Sequence, residues 1–483
     1  MMSMRKLIPI LTVLMVVSGC SDFIEVEPQS QFTASNFFKT EEDMNLALNG
    51  AYDGLQSIGQ YGQYFVYFME VSSDNSIQES STNSGGVFAA FDIYNVQPSN
   101  DVVNTSWNNC YDGINRVNTI LDRVDEISMD DQVRNVMKGE AKFLRVLTYF
   151  NLVRIWGDVP LITSETTDPI LAFKIGRSPI TEVYDLIEND LLASIQSLGV
   201  STDPSRASIN AAKALLAKVY LTEQKYTLAS AFLTDVIGGG NYQLLSSFQE
   251  VFSVENESNA EILFEVQFTE SGSANAGNIE GSRFSNLFAP IGALQLVDGV
   301  GSTSGDNLPS QDLYDAYSAA DARLDGTIGT LADGRIYTKK YLDVPLTPYN
   351  AENNFIVIRY ADVLLMQAEV LNEIGYSAAG LAFDYLNEVR ARAGLAPRSN
   401  TDVSDQAAFR DAVLLERRLE LAFENHRWFD LVRTGNAIAT LDGHSATNGP
   451  VTLSQNQLLY PIPQAQIDIM NNEELMYQNP GYQ

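Results

Sequence analysis

Glu416, Glu420 and Glu424 recur at four-residue spacing, which places three carboxylates on one face of a helix. Two carboxylates at a suitable separation could serve as the acid and the nucleophile or base of a secreted glycoside hydrolase. The neighbouring residues favour another role. Arg417 and Arg427 stand three residues from Glu420 and Glu424, the spacing of helix-surface ion pairs. Such a cluster reads as a structural ion-pair network, which holds stacked helices in register more than it adds stability. His426, inside the same segment, reads as a structural hydrogen-bonding group. With 61 Asp and Glu in the chain, acid pairs arise by chance, so carboxylates alone do not identify an enzyme.

Other chemistries leave little trace. Two His and two Cys rule out a disulfide framework and disfavour a zinc site built on those residues. Cys110 has Trp107 and Tyr111 as neighbours rather than a base, and reads as a buried structural thiol. G-x-S-x-G, H-E-x-x-H, P-loop, G-x-G-x-x-G and calcium-loop patterns are absent. No cofactor is indicated, although a structural cation such as calcium, held by loop carbonyls and acids, is compatible with the sequence. Lys and Arg number 30 against the 61 acids, a formal charge of −31 that repels phosphate backbones and excludes nucleic acid as a partner.

Binding needs less chemistry than catalysis. Sugars offer apolar C–H faces to flat rings and hydroxyls to carboxylates, amides and guanidinium groups. Tyr61, Tyr64, Tyr67, Glu70, Asp74, Asn75 and Tyr94 supply such groups in an irregular stretch from Ile58 to Asn104. Arg283, Phe284, Phe288, Tyr337 and Tyr341 do so in a second one, Gly238 to Asn354. Each ring taken singly is more often core than platform. No Trp falls in either stretch.

The rest of the chain has helical periodicity. Thr40 and Asp43 form a capping-box pattern before the stripe Met44, Leu48, Ala51 and Leu55. A second helix carries Trp107, Tyr111, Ile114, Asn118 and Leu121, and a third runs from about Asp130 to Trp156, ended by Gly157 and Pro160. Asn210 to Ile237 reads as a helix hairpin turning at Gln224 to Tyr226, and a similar pair runs up to Gly375 and then to Gly394. Small residues at close crossings are what tetratricopeptide-like helix pairs use to stack. Ile262–Phe268 and Arg335–Leu342 read as strands. The expectation is a mainly α, tetratricopeptide-like scaffold with long irregular loops and a few short strands.

Ahead of this scaffold, Arg5 and Lys6 precede the apolar run Leu7 to Val17, a secretory leader over residues 1–19. Val17-Ser18-Gly19-Cys20 resembles the lipobox of bacterial lipoproteins, which makes Cys20 the lipidation site. The acidic stretch after Cys20 resembles a surface-export signal and reads equally well as a solvated linker.

Ordered motifs then name a family. The segment LERRLELAFENHRWFDLVRTG, Leu415 to Gly435, resembles the C-terminal signature of the SusD/RagB family. RYADVLLMQAE from Arg359, FDYLNEVRARAG from Phe383, and the tail from Tyr460-Pro461-Ile462-Pro463 to Asn479-Pro480-Gly481-Tyr482 resemble further family motifs. The resemblance divides the chain into the leader, a SusD-like N-terminal helical region at 20–237, and a C-terminal region at 238–483. That last region is loop-rich at 238–354, helical at 355–435 and a tail at 436–483. The resemblance implies a surface lipoprotein of the outer membrane, facing the exterior and held by its lipid anchor. It implies a protein that binds oligosaccharides, or peptides in the RagB branch, without cleaving them. Its implied partner is a SusC-like TonB-dependent transporter. It also marks Asp74-Asn75 as the position where such proteins often have a ligand-contacting acid.

Overall fold

A computed structural model describes residues 37–482 except 169, 171–172, 271–279 and 447–448. The leader and Cys20 lie outside the described residues. The fold is mainly α. Helix α1 (Glu41–Asp53) starts at the expected capping box: Thr40 Oγ1 accepts from Asp43 N, and the Asp43 carboxylate accepts from Thr40 N. Helix α2 (Asp101–Arg123) is capped by Asn100 and α3 (Asp131–Trp156) by Asp130. Gly157, at φ 75°, turns the chain out of α3 in the left-handed region that other residues avoid. From Phe143 to Trp156 nearly every side chain of α3 is buried, so this helix forms the centre of the scaffold rather than one of its faces.

Helix α4 (Ile180–Ser197) packs on α3 and on α5 (Ile209–Thr222), which forms a hairpin with α6 (Tyr226–Gly238). Ala211, Ala212, Ala214 and Ala217 are fully buried in α5, and these small side chains let the helices approach closely. α6 packs on α7 (Tyr360–Ile374), which also carries α8 (Leu381–Arg392) and α9 (Gln406–Glu420). Helix α10 (Arg427–Arg433) follows. Among the described residues the main apolar core extends from Met44 to Met476. Among the described residues no helix is long and apolar enough to cross a membrane.

The irregular stretches are tied together by short strands. β1 (Ser76–Ile77) pairs antiparallel with β3 (Leu308–Pro309), joining the first stretch to the second. β2 (Ile262–Val266) pairs with β6 (Phe355–Arg359). Arg335–Leu342 forms a strand only at β5 (Ile336–Thr338), paired with β4 (Ile328–Thr330).

The carboxylates of the signature segment are structural, and their partners differ from the local ones that the spacing suggests. Glu420 meets Arg323, Arg359 and Arg392, while Glu424 meets Arg359 and Lys340. Arg417 pairs with Asp362 and Asp430 rather than with Glu420. The chain leaves the helix after Glu420, with Phe423 and Asn425 at positive φ, so Glu424 lies off the helix face that four-residue spacing implies. His426 Nδ1 lies 3.3 Å from Lys218 Nζ. Burial, then the Lys218 charge, lowers its pKa to about 3, so it stays neutral. Cys110 is buried among apolar neighbours, and burial pushes its thiol well above the ordinary value.

Candidate functional site

Where the two irregular stretches meet, they enclose an open cleft of about 550 Å³. Tyr64 and Phe88 from the first stretch face Arg283, Ser302, Thr303 and Tyr349 from the second. The three rings are half-buried and line the cleft.

Phe88 and Tyr349 are held by groups behind them. Tyr67 lies parallel to Phe88, with centroids 4.6 Å apart, and its hydroxyl donates to Asp306 Oδ2 at 2.9 Å. Asn286, nearly fully buried, donates to Val300 O and Ser302 O and accepts from Tyr349 N, so one amide fixes both the 300–302 loop and Tyr349. The Tyr349 hydroxyl and Ser302 Oγ are hydrogen-bonded at 2.7 Å. Glu79 Oε2 accepts from Ile291 N, and Glu79 Oε1 pairs with Arg335 at 3.3 Å, closing one wall. Such support fixes the rings before any ligand arrives, which reduces the ordering cost of binding.

Of the sequence candidates, the cleft takes Tyr64 and Arg283. The others do not line it, and all but Tyr337 are buried against protein rather than open on a surface as the sequence suggests. Asp74 is 3% exposed and forms a fork with Arg427, Nε to Oδ1 at 2.7 Å and Nη2 to Oδ2 at 2.8 Å. Burial pushes its carboxyl up, but Arg427 and then Arg418 overcome this and hold it below the usual range. Asn75 Nδ2 donates to Glu70 Oε1, and its Oδ1 accepts from Arg418. Tyr61 accepts from Asn151 in the core, and Tyr94 donates to Ser72 O. Tyr67 supports the cleft floor from beneath. Phe284, Phe288 and Tyr341 pack together with Phe355. Tyr337 covers Gly329 across the β4–β5 hairpin, where a Cβ would fall 2.1 Å from the ring. The common cause is that stretches this long must bury rings of their own, and most of their aromatics do so.

The sequence does not single out Phe88, Tyr349, Ser302 or Asp306, which the structure places in the lining. Phe88 lies inside the aromatic stretch already singled out, whereas Tyr349 carries no local signal. Asp306 is fully buried at the cleft floor. Its oxygens accept from Tyr67 and Gln78, and burial raises its pKa to about 6 against those two hydrogen bonds.

Glu70 behaves differently from its neighbours. Its Oε1 accepts from Asn75 Nδ2 and Phe423 N, while its buried Oε2 has no partner. Burial therefore raises its pKa to about 7 despite those two bonds. The folded state holds this proton more tightly than the unfolded chain does, so the stabilisation is full below about pH 4 and is lost as pH rises through 7. Denaturant titrations should show the wild type losing stability relative to Glu70→Gln by up to about 1.4 kcal/mol per pH unit between roughly pH 4.5 and 7. The difference should then level off. Parallel pH profiles for the two proteins would contradict the assignment.

Known proteins share this architecture. A sequence profile described as the SusD family matches residues 324–482, and one described as starch-binding and associating with the outer membrane matches residues 22–221. A laminarin binding SusD-like protein of known structure is 30% identical, with a TM-score of 0.78 over 92% of this chain and 100% of its own. SusD-like protein P38 from Formosa agariphila is 29% identical over 496 residues, 94% of each chain. Surface glycan-binding protein A from Bacteroides thetaiotaomicron, solved with laminarihexaose, is 21% identical and has a TM-score of 0.78 over 91% of this chain and 100% of its own. That likeness shows the fold. Ordered motifs, a shared scaffold and a relative matched along nearly the whole chain converge on one conclusion: the chain belongs to the SusD family.

Proposed function

We propose that this protein is a non-catalytic, glycan-binding lipoprotein of the outer membrane. It would capture oligosaccharides at the cell exterior and pass them to a SusC-like TonB-dependent transporter. The observation that carries the reading is the cleft, where Tyr64, Phe88 and Tyr349 offer ring faces beside hydroxyls and a guanidinium. A relative 30% identical is a laminarin binding protein, and a neighbour with the same fold was solved with laminarihexaose. Both support a glycan ligand. Glycoside hydrolysis uses two carboxyl groups, whereas among the described residues Asp306 is the single carboxyl lining the cleft and both its oxygens are engaged. A lipid on Cys20 would hold the protein at the membrane, and the helical scaffold would need the transporter to move solute across it.

Removing either platform ring tests the cleft. Tyr64→Ala and Tyr349→Ala should each weaken binding of the preferred oligosaccharide about tenfold in calorimetry, roughly 1.4 kcal/mol, with little change in Tm. Unchanged affinity in both variants would move the ligand away from this cleft.

A further inference from the structure

Arg283 stands apart from every other arginine among the described residues. Among the described residues its guanidinium has no hydrogen bond, no ion pair and no ring stacked on it. Two other arginines also lack a carboxylate partner, but both are otherwise satisfied. Arg154 lies between the rings of Phe150 and Phe429 and donates to Asn151. Arg177 donates to the Asp158, Tyr477 and Trp156 carbonyls and to Asn479. In a chain with 61 acids and 30 bases, an unmatched arginine is unexpected by composition alone.

Its position sharpens the point. Arg283 is half-buried in the cleft wall beside Tyr64 and Tyr349, so its charge has lost part of its water without gaining a counter-charge. Burying a charge is costly unless it is paired. The carboxylates in and beside the cleft lining are occupied. Asp306 accepts from Tyr67 and Gln78, and Glu79 accepts from Ile291 N and pairs with Arg335. A planar guanidinium with free donors matches the two oxygens of a carboxylate or a sulfate group, and gains more from them than from a neutral hydroxyl.

We propose that the ligand of this cleft is an anionic glycan, and that Arg283 binds a uronic-acid carboxylate or a sulfate ester on it. This rests on the cleft being the glycan site. The acidic character of the rest of the protein then aids selectivity, because an anionic chain finds its favourable contact at this one point in the cleft and is repelled elsewhere.

Calorimetry on the purified protein with three size-matched oligosaccharides tests it: neutral laminarihexaose, an oligouronate, and a sulfated neutral oligosaccharide. One anionic ligand should bind at least tenfold more tightly than the neutral one, and its affinity should fall as salt rises. Which anionic arm wins distinguishes carboxylate from sulfate. Arg283→Gln should remove that preference and the salt dependence while leaving Tm unchanged. Arg283→Lys, which keeps the charge but loses the fork, should give an intermediate affinity. If Arg283→Gln does not fold, the wild-type preference and salt dependence decide the matter. Equal or tighter binding of laminarihexaose, independent of salt, would overturn the anionic assignment while leaving the glycan-binding reading intact. Absence of binding in all three arms, with Tyr64→Ala equally silent, would overturn both.

Discussion

Replacing Arg359 with methionine is expected to lower stability by about 3–5 kcal/mol, the cost of breaking a buried ion pair from one side. Arg359 ends β6 and opens α7, and it is 1% exposed. Its guanidinium donates to Glu424 Oε2 at 2.6 Å and Oε1 at 2.8 Å, to Glu261 Oε1 at 2.8 Å, and to Glu420 Oε1 at 2.6 Å and the Glu420 carbonyl at 2.7 Å. Methionine fills a similar volume but leaves three buried carboxylates short of a cation. Arg323, Arg392 and Lys340 would still serve Glu420, Glu261 and Glu424 in part, so the loss should fall short of the sum of single pairs. Small domains commonly have about 5–15 kcal/mol in all, so the variant should populate unfolded or aggregated protein on expression. Urea titration of whatever folds measures the loss. A change under about 1 kcal/mol would mean that the network contributes register alone.

Asp74→Asn is expected to have the next largest effect, and on stability rather than on binding. The aspartate is the carboxylate that sequence reasoning favours as a ligand contact, yet its oxygens are taken up by Arg427 and, at 3.1 Å, Arg418. Neutralising it leaves Arg427, whose side chain is 11% exposed, without its forked counter-charge and loosens the contact between the first stretch and the signature segment, up to about 3 kcal/mol on the same grounds. Oligosaccharide affinity of the folded fraction should match the wild type, because Asp74 does not line the cleft. Lost affinity with a normal melting curve would reverse this assignment and return Asp74 to the binding site.

These two residues show how far the sequence could be read. Helix α1 was legible because its signals are local: a capping pair three residues apart and a stripe of apolar side chains. The end of α3 at Gly157 and the turn at Gln224 between α5 and α6 were legible for the same reason. Motif order named the family, since it depends only on residue types in sequence. The network around Glu420 was legible as a kind of interaction, but its partners were not. Arg323 and Arg359 stand 97 and 61 residues away from Glu420, and no spacing rule reaches that far.

The site divides in the same way. Sequence alone determined that two aromatic, polar stretches interrupt a helical scaffold, and it singled out Tyr64 and Arg283 among their residues. Only tertiary structure decided which rings face the cleft and which face the core. Tyr67 turned inward because its hydroxyl meets Asp306, 239 residues on, and Asp74 because Arg427 lies 353 residues on. Arg283 kept its free guanidinium because, among the described residues, the packed structure pairs no acid with it. The physical reason is that helix formation is decided by neighbours within a turn or two, whereas the burial of a loop side chain is decided by whichever distant surface the fold lays against it.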